Sequence, residues 1–301
     1  MWDAGETAVR GGGWPRRAVL GGAAATAAAA AALAVAARRW DGATAHAVAG
    51  LHAGADGGDP SVAYDPARLV DAPAPVRRYF AFALPPGQRP VRRARVQHAG
   101  EFAVRPGAWK PFTSVQDFTA DPPGFVWDAR LPMAGAPVGN RLAVRVRDGY
   151  AAGVGSMRAA IAALVPVARQ EGTPEIAASA LWRYLAEAVW FPTALLPSER
   201  LTWTPVDDST ARATLRDRGA TAVADFHFGS RGEVARVTGS RYRAVGAGQV
   251  LTPTEGWHRA YARVGGMMIP TEGEVAWLLP EGPHAYWRAR VVRATYGYDG
   301  R

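Results

Sequence analysis

The chain has 301 residues, 49% of them apolar, enough for one sizeable core. Its 35 basic and 26 acidic side chains give a net charge of +9. Lys110 is the only lysine, and the arginines are dispersed rather than gathered in runs with aromatics, which argues against a nucleic-acid surface. With no cysteine, disulfides, thiolate catalysis and cysteine-ligated metal are excluded.

The first element is "RRAVLGGAAATAAAAAALAVAARR", Arg16 to Arg39. Between its arginine pairs lie twenty uncharged residues, Ala18–Ala37, thirteen of them alanine. As a helix they would reach about 30 Å, the thickness of a hydrocarbon core. Four Leu/Val residues supply only about 1–2 kcal/mol of insertion free energy. Arg16 and Arg17 ahead of a weakly apolar stretch also fit a twin-arginine export signal, although Pro15 and Val19 depart from its usual pattern. Residues 1–40 therefore read as a cleaved signal or an uncleaved anchor. Residues 41–70 read as a flexible linker, because 41–62 are small, glycine-rich and unpatterned. Residues 71–298 read as one β-rich domain.

Within that domain Pro75–Ala83 is expected to be a short helix docking Val76 and Phe80. Alternation begins at 91–104, where Val96, His98, Gly100, Phe102 and Val104 share one face. It returns at 109–119, 124–131 and 140–150, the last with Asp148-Gly149 as a hairpin turn. "PEIAASALWRYLAEAVWFP" is the one long helix, capped by Thr173, opened by Pro174 and stopped by Pro192. Strands resume over 203–245, with turns at Asp207-Asp208, Arg218-Gly219 and Ser230-Arg231-Gly232, and continue at 256–264, 271–279 and 284–297. Short strands joined by tight turns predict a mainly β (α+β) fold. It would be a strongly curved antiparallel sheet or half-barrel of about ten strands, with the long helix on its concave side.

Several blocks together carry a resemblance: "PVRRYF" (75–80), "WKPF" (109–112), "DPPGFVWDARLPM" (121–133), "RYLAEAVWFPTALLP" (183–197) and "GMMIPTEGEVAWLLPEGPHAYWRARV" (266–291). They resemble an uncharacterised bacterial protein family of unknown function, often with an N-terminal hydrophobic segment, over roughly residues 70–298. The resemblance implies no catalytic residues. The layout is also similar to the half-barrel of periplasmic lipoprotein carriers, a likeness of architecture.

Within 270–291, placing Glu274 opposite Arg288 puts Glu272 opposite Arg290 and gathers Val275, Trp277, Trp287, Ala289 and Val291 on an apolar face. A glycosidase-like acid pair would need one carboxyl held neutral, whereas facing arginines push both pKa values down, so the charges read as a register device. Asp225 and His227 share a strand face and could form a general base, and His98 points to the apolar side. No metal-binding or nucleotide-binding pattern is present, and no catalytic residue, metal or cofactor is assigned.

Eight tryptophans in the folded part exceed what a thin curved sheet can bury. Some are expected to line a groove beside the long helix, with Arg130, Arg147 or Arg183 meeting an anionic head. The expected ligand-binding residues are Trp127, Arg130, Met133, Trp182, Trp190 and Trp277. The expected function is a membrane-tethered or exported, non-catalytic binding protein for a lipid or other hydrophobic molecule, in the cell envelope. The partners are that ligand and the membrane through the N-terminal segment, without nucleic acid. A hydrolase using His98 or the Asp225/His227 pair, and a cell-envelope interaction domain, are the alternatives.

Overall fold

The computed structural model describes residues 16–55, 63–103, 105–133, 142–246 and 248–298, with side chains from Thr26 onward. Three helices, α1 (Arg16–Ala53), α2 (Ala74–Ala83) and α3 (Pro174–Glu187), accompany thirteen strands among these residues. β1 (Arg93–Ala103), β2 (Trp109–Thr119), β3 (Gly124–Pro132), β4 (Ala143–Ala151), β5 (Val154–Ile161) and β6 (Val165–Glu171) precede α3. β7 (Leu201–Pro205), β8 (Thr210–Asp217), β9 (Ala220–Phe228), β10 (Val234–Val245), β11 (Gly248–Val264), β12 (Met267–Leu279) and β13 (Gly282–Gly297) follow it.

All thirteen form one antiparallel sheet in the order β6-β5-β4-β3-β2-β1-β13-β12-β11-β10-β9-β8-β7. The chain enters at the centre with β1 and meanders out to the β6 edge. It crosses through α3 to the β7 edge and meanders back until β13 pairs with β1. The sheet is not closed into a barrel, and α3 packs on its inner face against β3–β5 of one arm and β9–β10 of the other. The mainly β class and the helix on the sheet are as the alternation predicts, with more strands than the ten expected. Alternation does not mark β5 and β6, because "GVGSMRAAIAALVPVARQE" is alanine-rich and lacks a clean period of two.

Local chemistry sets the helix ends. The Thr173 hydroxyl accepts from the Ile176 amide at 3.3 Å, Pro174 opens α3, and two 3-10 turns (Ala188–Trp190, Pro192–Leu195) carry the chain past Pro192. Asp148-Gly149 does not make the hairpin turn. Both residues lie inside β4, and the turn falls at Ala152-Gly153, where φ is 52° and 84°. Asp148 stays in the strand because its carboxylate is held by Arg183 of α3 at 2.8 Å.

The two arms meet beneath α3. The Tyr150 hydroxyl of β4 donates to Asp217 Oδ2 of β8 at 2.9 Å, and Arg200 holds Asp217 Oδ1 at 2.9 Å. Tyr79, Tyr150, Phe80, Phe118, Phe125, Phe191 and Phe226 are fully buried in the core.

α1 does not stop where the apolar run ends. It continues to Ala53, through much of the segment that composition reads as linker, while residues 56–62 lie outside the described ones. Its second half packs on the outer face of β2 and β3. Among the described residues no helix is long and apolar enough to cross a membrane. The export motif at Arg16-Arg17 and the first part of Ala18–Ala37 have side chains outside those described.

α3 rests directly on β5 at Gly155, where an added Cβ would meet the Ile176 carbonyl oxygen at 2.5 Å and the Ala177 nitrogen at 2.9 Å. Gly155→Val must displace the helix and is expected to cost about 2–3 kcal/mol, read from urea unfolding midpoints. Gly256→Ala is the control: its new Cβ finds its first neighbours at 4.0 Å, so stability should stay within about 0.5 kcal/mol.

Candidate functional site

The inner face is where the sequence places a ligand, and the structure fills much of it with indole. Trp127, Trp182 and Trp190 are all buried in the main core. Trp190 packs against His98 with ring centroids 4.6 Å apart and tilted by 51°, and lies 6.4 Å from Trp287. Arg183 lies 4.8 Å from the Trp127 ring and bonds both Asp148 and Glu187 at 2.8 Å, which leaves it engaged with carboxylates rather than open to an anion. Arg241 stands between Trp182 and Trp277, 5.6 Å from each, and Trp277 stacks on Tyr286 at 5.4 Å. Met133 is 44% exposed beyond the end of β3, and Arg130 is on the opposite, outer face. The six expected ligand-binding residues thus fall into separate neighbourhoods, and only the tryptophans and Arg241 share the inner face.

The candidate catalytic groups are also apart. Asp225 accepts two bonds from Arg212, at 2.7 and 2.9 Å, while His227 lies between Thr210 (3.3 Å) and Thr238 (2.9 Å). The carboxylate therefore does not orient the imidazole. His98 is 2% exposed, and neither of its ring nitrogens has a hydrogen-bond partner. Burial, aided by the nearby Arg183 charge, lowers its pKa to about 3. A neutral, isolated imidazole between indoles has no second group with which to move a proton. No cluster of three metal-binding side chains occurs among the described residues.

The 270–291 hairpin pairs Glu272 with Arg290 and Glu274 with Arg288, as the residue pattern predicts. An irregularity after Val275 then shifts the register, so Trp277 faces His284 and the tip is Pro280-Glu281. The expected ion pairs do not form. Arg288 turns to Glu101 of β1, bonding it at 2.9 and 2.6 Å over the Trp109 ring, because β1 flanks β13 on its other side.

The outer face also holds open space, which no pattern in the sequence marks. A groove of about 950 Å³ runs between α1 and the strands β13, β1, β2, β3 and β4. Its floor includes Thr113, Val115 and Val126, and its roof is Ala45, Val48 and Ala49 of α1. A polar clamp holds the roof. The Trp40 indole and the Thr44 hydroxyl both donate to the Asp128 carboxylate at 3.2 Å, and Arg145 bridges Asp41 (2.8 Å) and Asp128 (3.1 Å). Arg147 donates to the Trp40 carbonyl and to Thr44, with its guanidinium 4.9 Å from the Trp40 ring. At the far end Leu51 is buried, and a Cβ on Gly124 would meet it at 2.6 Å. The signal available in the sequence was Trp40-Asp41 with Thr44 three residues on, one polar stripe within an alanine-rich helix.

Strand register orders the floor. Arg145, Arg130, Thr113, Ala99 and Arg290 face one another in a single row across five strands. Four arginines (Arg95, Arg130, Arg145, Arg290) and three aspartates (Asp41, Asp117, Asp128) line the groove. Asp117 pairs with Arg95 at 2.9 Å, and the other two aspartates with Arg145, so Arg130 and Arg290 form no ion pair among the described residues. Burial raises the Asp117 pKa, against the pull of Arg95 and His52.

His98 and His258 set an acid limit on stability. Burial lowers their pKa to about 3 and about 4, from 6.5 in the unfolded chain. Between about pH 4 and 6.5 the unfolded state therefore binds more protons, and stability rises with pH by about 1.4 kcal/mol per pH unit for each histidine. Urea midpoints followed from pH 4.5 to 7 should rise with pH, and His98→Leu should flatten the rise.

The curated proteins yield no match to this chain. Among solved structures, a LolA superfamily protein from Nitrosomonas europaea is 10% identical with a TM-score of 0.35, covering 73% of this chain and 91% of its own. A DUF1329 family protein from Desulfovibrio piger is 9% identical with a TM-score of 0.35, covering 68% and 86%. At that distance neither likeness bears on what this chain binds. The groove floor and α3 lie within residues 70–296, which match a family of unknown function, whereas α1 lies outside them; the chain belongs to that family, DUF6920.

Proposed function

We propose that this is a non-catalytic binding protein of the cell envelope, tethered to the membrane or exported across it. It holds a lipid or other hydrophobic molecule in the groove between α1 and the outer face of the sheet. The observation that carries this reading is the groove, about 950 Å³ with aliphatic side chains on both floor and roof. That volume is within the range of small-molecule sites, and burial of apolar surface there would supply the affinity. The expected location beside α3 gives way to this one because indole rings already occupy that side.

The membrane part of the reading rests on the uncharged run Ala18–Ala37, which leads without a break into the grooved half of α1. A helix that is apolar at one end and docked at the other would hold the groove beside the bilayer surface, with Arg38 and Arg39 at the boundary.

Native mass spectrometry of the full chain, released from membranes in mild detergent, is expected to show a lipid-mass adduct. Val48→Trp, which fills the groove from its roof, should reduce the adduct at least tenfold without unfolding the protein. Absence of any adduct on the unsubstituted chain, or an adduct unchanged by Val48→Trp, would reject the groove as the binding site. Cell fractionation tests the tether: the chain should resist alkaline extraction from membranes, and deletion of 18–37 should release it.

A further inference from the structure

We infer that the occupant of the groove is an amphiphile with an acidic head group, oriented so that its head meets Arg130 and Arg145 while its chain lies beneath Val48 of α1. This rests on the groove as binding site and adds the class and direction of the ligand. Three observations carry it. Arg130 and Arg145 are directly opposite on neighbouring strands and both line the groove, and only Arg145 is supplied with carboxylates. Like charges directly opposite each other in a sheet repel, and an anion between them removes the repulsion. The Arg145 side chain is 7% exposed, and its Nε–H is buried with no acceptor. A buried guanidinium with one donor unmet keeps part of its positive potential to offer at the groove wall. Across the floor Arg290 forms no ion pair either, although Glu272 faces it from β12, and only the small Thr113 and Ala99 separate it from Arg130. The row is cationic at both ends and low in the middle.

The rest of the groove is unsuited to a second charge. Asp117 and Arg95 neutralise one another, Asp128 is committed to the α1 clamp, and Val115, Val126 and Val48 fill the interval between them. From Asp41 to His52 the helical roof extends about 16 Å, enough for a medium-length acyl chain. Carboxylate and phosphate heads share the chemistry required, an anion with several acceptor oxygens, which Arg meets in its planar fork.

Fluorescence titration of the full chain at pH 8 tests this with three pyrene-labelled probes: decanoic acid, its uncharged methyl ester, and phosphatidylglycerol. The acid or the phosphatidylglycerol, or both, should bind about tenfold more tightly than the ester, and whichever does identifies a carboxylate or a phosphate head. Arg130→Gln should reduce that preference to about threefold or less while leaving ester binding unchanged; Arg290→Gln should act in the same direction. Equal binding of all three probes, or a preference untouched by Arg130→Gln, would overturn the acidic head group while leaving the groove reading in place. Failure of every probe to bind would reject the groove itself.

Discussion

The first strand of the sheet pairs with the last, and the molecule is organised around that pairing. β1 contacts β2 on one side and β13 on the other, which joins two meandering arms of six and seven strands at their inner ends. Away from that pairing the arms meet again beneath α3, which is bonded to one arm through Arg183 and Asp148 and to the other through Trp182, whose indole donates to the Val223 carbonyl at 3.0 Å. Without the central pairing neither arm could curve around the helix, and the outer floor of β13, β1, β2, β3 and β4 would not be continuous. The loop-closure cost of joining strands almost two hundred residues apart grows only slowly with length, and the ladder it permits is long.

The two faces of this sheet solve different problems. The inner face carries aromatic rings and a few paired charges, which gives packing and rigidity. The outer face under α1 carries arginine and aspartate in near balance, and it is covered by a helix of mostly small side chains that leave space. Alanine and a single valine cannot fill the distance that Trp40 and Leu51 impose at either end of the docked stretch. The groove is thus a consequence of large anchors flanking small residues. Charge follows the same logic: each aspartate is matched by an arginine, and the cations left over stand in one row.

Much of the fold was legible along the chain. Alternation marks most strands, the Thr173 cap and Pro192 bound α3, and the charge and aromatic pattern of 270–291 gives its register from Glu272 to Val275. Where reading failed, a partner distant in sequence had intervened. Asp148 is drawn into β4 by Arg183, Arg288 is drawn away from Glu274 by Glu101, and β5 and β6 are held by their neighbours in spite of weak local preference. The candidate site was less legible. Tryptophan content signals apolar volume but does not say whether rings line a space or occupy it.

By itself, the sequence determined which side chains share a face, where helices start and stop, and that the interior is apolar and free of cysteine. Those properties follow from periods of two and 3.6 residues and from local caps, which need only near neighbours. Only the tertiary structure decided what covers each face. Trp40 reaches Asp128 across 88 positions and Asp41 reaches Arg145 across 104, contacts that no local pattern encodes. The helix that composition presents as tail and tether becomes a roof because its one polar stripe meets a matching set of charges, and that match exists only after the sheet has formed.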